Sequence, residues 1–552
     1  MSTNEKLNTI FKDKNGNPLY VLGLQSHNSS NGCWEMIDKS IAAVKQYHGN
    51  TLEVPVCWYH LEPEEGKFDF SLVEALIQRV RASGLYLVIL WFGFSKNASN
   101  VYLPDWAKLD TERFFPAVGP DGCEVTIISP NCDAIYEADK KAFAELIKGI
   151  KRVDEKEKTV IGIQVENELG LYTIDRCYSK KAQEDFDKGV PPQLDGVTLE
   201  DSGASGKGNS WYDRFGRHAH EAFSAWHFGI GVEKIAKAGK EIYPSLPLYT
   251  NTMIGEIRQE VAGQSYSSGS PVGRVLDIWK KAAPSLDLIA PDIYQPFTSG
   301  YIRVANLFNR PDNPLFIPET GTQGDNFAMH IINAAVDYKA IGICGFGAES
   351  TVEADWSLKP EAKKVAASMS IIKSMSPILL NYANSGKIFC VTQEQYQAHA
   401  YFKREKYHVT FYFTSENLPS RFSAFPRSFS ANLRVGTDAA KDPDFFVQSR
   451  GRAIVYEKDP YDFYIAGIGL AARFLKRTEI GDLYPHITNV SPNATEKAAF
   501  TIEEGHFTDD CKWVCEAKRS GDELNPGALV YPGIVLRVKL NPNVCKPVLY
   551  KE

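Results

Sequence analysis

The chain has 552 residues, of which 43% are hydrophobic and 23% are charged, and its formal net charge is -7. At this length we expect one large domain and a smaller one, and the composition excludes bulk disorder. The negative charge offers no basic surface for nucleic acid, and no apolar run approaches the ~18 residues of a membrane helix. We therefore expect neither a nucleic acid nor a membrane as partner.

From about residue 19 to residue 370, short apolar runs alternate with amphipathic segments. Apolar residues recur in these segments at three- and four-residue intervals, which is typical of helices. Strands that alternate with helices require a parallel sheet, and eight such units fit a closed βα barrel with insertions. The predicted strands cover 20–24, 51–57, 86–91, 160–165, 248–251, 286–290, 315–318 and 341–346, and the predicted helices 34–47, 72–83, 134–153, 219–240 and 274–281.

Two segments depart from this alternation. The longest insertion, 179–210, is rich in Gly, Ser and Pro and predicts a loop over the barrel rim. Beyond residue 376, short alternating runs at 387–392, 397–403, 408–414, 453–457, 472–477 and 535–540 are separated by turn residues. We therefore predict an α/β protein, with an eight-stranded TIM barrel in residues 1–376 and a smaller all-β, sandwich-like domain in 377–552 that braces it.

The N-terminus has no apolar stretch typical of a secretion signal, so the simplest expectation is a cytoplasmic protein. The ten cysteines are scattered and fit reduced thiols. Cys511 and Cys515 form a C-x3-C pair without a second pair nearby, and His218 and His220 stand two apart in a predicted helix, where they point to different faces. The sequence therefore predicts no metal and no organic cofactor.

The stretch 159–172, TVIGIQVENELGLY, carries the first candidate catalytic residue. Its β-branched run suits a strand buried on both faces, and the run stops at Glu166, Asn167 and Glu168. A carboxylate there is costly to bury unless it is paired or used, so Glu168 is a candidate acid/base group at a barrel rim. The alternative is a helix N-terminus with acidic residues in its first turn.

A second carboxylate follows another predicted strand. Glu319 ends strand seven, which lies across the barrel mouth from strand four and Glu168. Cleavage of a glycosidic bond needs one protonated acid and one ionised carboxylate, so this pair predicts a glycosidase. Tyr294, at the end of strand six, could hold Glu319 ionised through a hydrogen bond, or could simply pack at the rim.

Other side chains at the strand ends are candidate contacts to a sugar. The tryptophans among them could stack on a sugar ring, although core packing is an equal alternative. The lysine and the asparagine that follows it could reach a hydroxyl or cap a loop. The candidates are Trp58, Trp91, Lys96, Asn97, Asn251 and Glu349.

Four segments, VPVCWYHLEPEEGKFDF, LVILWFGFSKN, IGIQVENELG and LFIPETG, resemble the retaining β-galactosidases of families 42 and 35 in the clan of barrel glycosidases. The resemblance spans roughly residues 18–370. It implies that Glu168 is the acid/base, that Glu319 is the nucleophile and that Asn167 contacts the sugar 2-hydroxyl. Residues 90–94, LWFGF, replace the Arg-Pro-Gly-Pro-Tyr run of family 35, and the arginine of family 42 is absent, so sugar and linkage stay open. This variant resembles a divergent bacterial branch with its own β-rich C-terminal domain.

The combined expectation is an exo-acting, retaining β-glycosidase, first of all a β-galactosidase, that acts on a small oligosaccharide or glycoside. Transfer of the glycosyl unit to another sugar would use the same residues, and the sequence does not separate transfer from hydrolysis. From another class of function, a non-catalytic carbohydrate-binding barrel stays an alternative, because fold does not fix function. A homo-oligomer is possible.

Overall fold

The computed structural model describes residues 5–255, 261–417, 441–476, 499–519 and 528–542. Its N-terminal region is a ring of parallel strands with helices between them, as the alternating pattern predicts. The strands are β1 (Val21–Gln25), β2 (Thr51–Cys57), β3 (Tyr86–Lys96), β4 (Pro116–Val118), β5 (Glu124–Ile128), β6 (Val160–Asn167), β7 (Leu248–Thr252), β8 (Leu288–Ile293), β9 (Phe316–Ile317), β10 (Glu319–Thr320) and β11 (Gly342–Phe346). The strands β4 and β5 form a separate antiparallel pair.

The helices of this region lie between the strands and bury one apolar face against them. They are α1 (Trp34–Gln46), α2 (Trp58–Leu61), α3 (Ser71–Ala82), α4 (Asp105–Leu109), α5 (Asp133–Asp154), α6 (Lys180–Asp187), α7 (Trp211–Phe215), α8 (Ala219–Ile242), α9 (Leu276–Ala282), α10 (Thr298–Phe308), α11 (Asp325–Val336) and α12 (Pro360–Tyr382).

The seventh barrel strand is divided in two at Pro318. Proline has no N–H to donate to a ladder, so the strand predicted at 315–318 splits into β9 and β10. The first half pairs with β11 and the second with β8, and these two pairings close the ring. Glu319 therefore opens β10, in direct register with Asp292 on the neighbouring strand.

The insertion predicted as a loop over residues 179–210 begins as a helix. Ser179 caps α6 by accepting a hydrogen bond from the N–H of Ala182. Buried Phe186 anchors this helix against Trp211 and Phe223. The sequence analysis missed this short amphipathic helix because its residues make up only the first quarter of a stretch that is otherwise rich in Gly and Ser.

The C-terminal region is built of antiparallel strands, as predicted. One sheet has the order β12-β15-β16-β21-β18-β19 and the other β13-β14-β17-β20. Apolar side chains of the two sheets share a core that includes Val409, Phe463 and Val538. The elements are β12 (Ile388–Thr392), β13 (His399–Lys403), β14 (Tyr407–Phe413), α13 (Thr414–Asn417), α14 (Pro443–Gln448), β15 (Arg452–Asp459), β16 (Asp462–Ile468), β17 (Leu470–Lys476), β18 (Ala499–Phe507), β19 (Trp513–Arg519), β20 (Ala528–Val530) and β21 (Val535–Leu540).

Six of these strands were predicted, and β16, β18, β19 and β20 were not. The end of the predicted run 472–477 lies outside the described residues, as does Cys545. The helix α12 runs across the predicted boundary between residues 376 and 377, which stays a prediction. The nine cysteines in the described ranges are free thiols, and no described helix is long and apolar enough to cross a membrane.

Candidate active site

The candidate site lies at the carboxyl ends of the barrel strands. There the structure brings together Glu168, which follows β6, Asp292 of β8 and Glu319 of β10. One carboxyl oxygen of each of these residues lies within 4.8 Å of the other two. The two glutamates that the sequence selected thus face each other across the mouth of the barrel.

Three hydrogen-bond donors converge on the Glu319 carboxyl group. Gln25 Nε2 donates to Oε1 at 3.0 Å, and Asn167 Nδ2 approaches the same oxygen at 3.5 Å. The Tyr294 hydroxyl donates to Oε2 at 2.7 Å, the contact that the sequence suggested. Burial, and then the charge of Glu319, raise the pKa of Tyr294, so its hydroxyl keeps its proton and remains a donor. An ionised carboxylate only accepts hydrogen bonds, and this environment matches that form.

Glu168 occupies a different environment. Its backbone N–H donates to Asn251 Oδ1 at 3.0 Å, with the residue in the left-handed conformation at φ 45°. Burial, followed by repulsion from Glu319, raises the pKa of Glu168 to about 7, although Lys96 and Asp292 act in the opposite direction. At neutral pH this carboxyl group is therefore divided between its protonated and ionised forms.

Asp292 is the third acidic residue of the site; it stands among the polar ends of the predicted strands, but the sequence analysis assigned it no role. Asn251 Nδ2 donates to its Oδ2 at 2.8 Å, and a hydrogen bond joins the Asp292 and Glu168 side chains. Burial, and then the neighbouring Glu319 and Glu168, raise the pKa of Asp292 well above its usual range. The signal that could have found it was its position two residues before Tyr294, since alternate residues of a strand face the same side.

Lys96 and its neighbours form a support beside the two glutamates. Its ammonium group donates to Asn167 Oδ1 at 2.9 Å and to Asn97 Oδ1 at 2.6 Å. The first contact fixes the amide of Asn167 with its NH2 group toward Glu319. Asn97 has a positive φ of 52° and orients the lysine, which agrees with the loop-capping alternative.

The remaining predicted contacts have hydrogen-bond partners outside the pair of glutamates. Buried Glu349 accepts the backbone N–H of His27 at 3.1 Å and so ties together the loops after β11 and β1. Trp58 and Trp91 are 0% exposed, and their indole N–H groups donate to Glu62 and Asp139. Neither tryptophan presents a ring face to a ligand. The interpretation of these two as sugar platforms is therefore wrong, and the core-packing alternative is correct.

The two histidines considered as metal ligands are not brought together around a common site. His220 lies 2.6 Å from Asp175 through Nδ1 and 2.6 Å from the Tyr212 hydroxyl through Nε2, so both ring nitrogens are engaged. Within the described ranges, Glu168, Asp292 and Glu319 are the group of acidic, His or Cys side chains close enough to surround an ion. The expected independence from metals and cofactors stays a prediction.

Two family profiles match separate parts of the chain. Residues 28–197 match Glyco_hydro_42, described as Beta-galactosidase, and residues 365–530 match DUF5597, a domain of unknown function. No curated protein matches the chain. The first match covers β2, β3 and β6, and therefore Asn167 and Glu168, but ends well before Glu319.

Solved structures of β-galactosidases share the fold. The enzyme from Bacillus circulans sp. alkalophilus has a TM-score of 0.50 and 15% identity, over 68% of this chain and 58% of that one. A catalytic mutant of Gan42B, a family 42 β-galactosidase from G. stearothermophilus, has a TM-score of 0.50 and 14% identity, over 69% and 59% of the two chains. This chain thus spans less than two thirds of these relatives, and at such identity the likeness concerns the barrel fold. The resemblance to family 42 glycoside hydrolases is confirmed by the profile over residues 28–197 and is carried by a barrel of the same fold.

Proposed function

We propose that the protein is a retaining exo-β-glycosidase whose substrates are terminal β-galactosides. The observation that carries the proposal is the approach of the Glu168 and Glu319 carboxyl oxygens to within 4.8 Å. Retaining glycosidases hold their two carboxyl groups ~5–5.5 Å apart, whereas inverting ones need ~6.5–9.5 Å to admit a water. Oxygens within 4.8 Å of each other leave too little room for a water between them, which supports direct attack by one of the carboxylates. The profile match over residues 28–197 supports galactose as the sugar.

In the first step, a Glu319 carboxylate oxygen attacks the anomeric carbon of the bound sugar. The bond from that carbon to the leaving oxygen breaks, and Glu168 transfers its proton to this oxygen. Gln25 and Tyr294 each bind one oxygen of Glu319 and orient it for the attack. The product is a glycosyl ester on Glu319 together with the released alcohol.

In the second step, Glu168 acts as the base. Now ionised, it takes a proton from water while the water oxygen attacks the anomeric carbon and displaces Glu319. Two displacements return the sugar to its original β configuration. A group that gives up and regains one proton works best with a pKa near the operating pH, which fits the raised pKa of Glu168, about 7.

Asn167 connects the two halves of this mechanism. Its amide is fixed between Lys96 and Glu319. The family resemblance assigns it the contact to the sugar 2-hydroxyl, where hydrogen bonds strengthen in the transition state of glycoside hydrolysis. In this arrangement the same NH2 group that faces Glu319 lies beside the carbon that Glu319 attacks.

A panel of aryl β-glycosides with NMR analysis of the first product tests the proposal. We expect the β-galactoside to be cleaved fastest and the β-anomer of the sugar to appear first. Release of the α-anomer would overturn the retaining mechanism. Binding of galactosides without cleavage of any member would favour the non-catalytic alternative, and added alcohol acceptors would reveal transfer as a new glycoside.

A further inference from the structure

The barrel and the C-terminal region meet in an open cleft with a volume of about 640 Å³. The barrel contributes Pro296, from the loop after β8, and residues 323–327, which end the loop after β10 and begin α11. The C-terminal region contributes residues 393–396, from the turn between β12 and β13, and Arg450, which precedes β15. Both parts of the chain therefore form its walls.

Two residues of the cleft are close along the chain to residues of the candidate active site. Pro296 stands two residues after Tyr294, whose hydroxyl binds Glu319, so their Cα atoms are at most ~7 Å apart. Gln323 stands four residues after Glu319, a span of at most ~15 Å. Gln323 Nε2 also donates to the backbone oxygen of Ser350, next to Glu349. A chain of a few sugar units that leaves the catalytic pocket on this side would enter the cleft.

Exposed aromatic rings mark this path. Tyr294 is 40% exposed at the pocket, Phe297 is 67% exposed beside Pro296, and Tyr396 is 82% exposed on the opposite wall. Large aromatic side chains gain from burial, and flat rings stack on the faces of sugars. Tyr396 also has a positive φ of 61°, which is unusual for a bulky residue. The turn is held by hydrogen bonds from Gln393 and Glu394 to Gln397, so it presents the ring outward despite this strain.

The polar groups of the cleft suit a neutral ligand. The Arg450 guanidinium is engaged with Asn326 Oδ1 at 3.1 Å and with the backbone oxygen of Gln393 at 2.5 Å. Asp325 is paired with Lys364 at 3.0 Å. Arg450 and Glu394 add one charge of each sign to the lining, so the cleft has no net charge that would favour a phosphate or sulfate ligand. Side-chain amides such as that of Gln395 can donate and accept hydrogen bonds, as sugar hydroxyl groups require.

We propose that this cleft binds the sugar units on the leaving-group side of the substrate, so that the C-terminal domain is part of the substrate-binding surface. The proposal rests on the proposed function, because an exo-acting enzyme leaves only these units outside its catalytic pocket. It goes beyond the bracing role predicted from sequence and gives residues 365–530 a function in recognising glycans.

The test compares a substrate that ends at the pocket with one that extends into the cleft. For the full-length protein, kcat/KM is measured with 4-nitrophenyl β-galactoside and with β-1,4-galactotetraose. The variant Tyr396→Asn removes the ring and keeps a residue that tolerates a positive φ. The variant Tyr396→Phe is the matched control, because it keeps the ring. We expect Tyr396→Asn to lose about tenfold in kcat/KM on the tetraose, a typical stacking contribution, with the aryl galactoside within about twofold and Tyr396→Phe near wild type on both.

The cleft proposal is rejected if Tyr396→Asn changes kcat/KM equally on the two substrates, or on neither, while the aryl galactoside is still cleaved. The proposed function is unaffected by that result. Failure of the wild type to cleave the aryl galactoside would instead remove the proposed function. In that case calorimetric titration of the same proteins with galactotetraose decides. Binding that Tyr396→Asn weakens and Tyr396→Phe preserves supports a glycan cleft, and no binding by the wild type rejects it.

Discussion

Two pairs of carboxyl groups adjoin the end of β6, and they differ in what surrounds them. Glu166 lies against Asp139, whose oxygens accept hydrogen bonds from Trp91 Nε1 at 2.8 Å and from the N–H of Phe94 at 2.9 Å. Glu166 itself accepts the N–H of Ser95 at 2.9 Å. Burial, and then Asp139, raise the pKa of Glu166 well above its usual range, so this pair shares a proton inside the barrel wall.

The pair of Glu168 and Glu319 also consists of two carboxylic acids, but it lies at a different position. Glu166 is fully buried, whereas Glu168 is partly exposed at the mouth of the barrel. Glu319 is approached by three donors, and Glu168 and Tyr294 beside it are partly exposed, so solvent reaches this pair from the mouth. A raised pKa is thus common to both pairs, and access together with an opposing carboxylate distinguishes the candidate catalytic pair from the structural one.

The largest expected effect is on the rate of hydrolysis when the two pairs are altered in turn. We expect Glu319→Ala to lose at least ~10⁴-fold in kcat, because no covalent intermediate forms. Glu168→Ala should lose ~10²–10⁴-fold on substrates with poor leaving groups. Glu166→Gln is the matched control from the same strand and should change kcat by less than about threefold, since it touches no reacting atom. A loss with Glu166→Gln comparable to that of Glu168→Ala would reject the distinction between the pairs.

Added azide sharpens the assignment of roles within the outer pair. In Glu168→Ala, an aryl glycoside with a good leaving group still forms the ester on Glu319, and azide needs no base to attack it. The product should be the β-glycosyl azide. In Glu319→Ala, azide fills the vacated space and attacks from the opposite face, which gives the α-azide. The reverse stereochemistry, read by NMR, would exchange the two roles.

The sequence predicted the barrel and the outer pair well, because both depend on local pattern. The apolar run of β6 and its abrupt end at Glu168 are contiguous, and Glu319 follows an apolar run in the same manner. The partners of these groups are not local. Asp139 lies on α5, and it meets Glu166 only once the helix packs against the wall. The interpretation of Trp91 was wrong for the same reason, since its partner Asp139 lies 48 residues away. Trp58 differs, because its partner Glu62 follows after four residues and was a local signal that the sequence analysis did not use.

The pH dependence of kcat/KM should reveal the influence of Asp292 on Glu168. Because Glu168 must be protonated to act as the acid, activity should fall as the pH rises through its pKa of about 7. Asp292 lowers that pKa through its hydrogen bond. We expect Asp292→Ala to move the alkaline limb to higher pH by up to ~1 unit, and Asp292→Asn, which keeps a donor, to move it less. A shift to lower pH in Asp292→Ala would contradict this role.

Stability should show the cost of the raised pKa. Between pH 4.5 and about 7 the folded protein binds a proton at Glu168 that the unfolded chain has released, so this residue makes stability fall as the pH rises. At pH 8, Glu168→Gln should therefore stabilise the protein, by ~1–2 kcal/mol, because partial exposure reduces the full effect of ~1.4 kcal/mol per pKa unit. Denaturation at pH 8 and pH 4 measures this, and an equal gain at both values would assign it to another cause.

The smallest expected effect is that of metal removal. Glu168, Asp292 and Glu319 are close enough to surround a cation, as no other group of such side chains in the described ranges is. A cation at this place would be coordinated by the Glu319 oxygens that now accept hydrogen bonds from Gln25 and Tyr294. It would also keep Glu168 ionised and so oppose the proposed acid step. We expect EDTA to change kcat/KM by less than about twofold, since two carboxyl groups and water complete the reaction. The contrary result has three parts: EDTA abolishes activity, one divalent ion restores it, and the Asp292→Asn variant no longer binds that ion. A metal-assisted mechanism would then replace the two-carboxylate one.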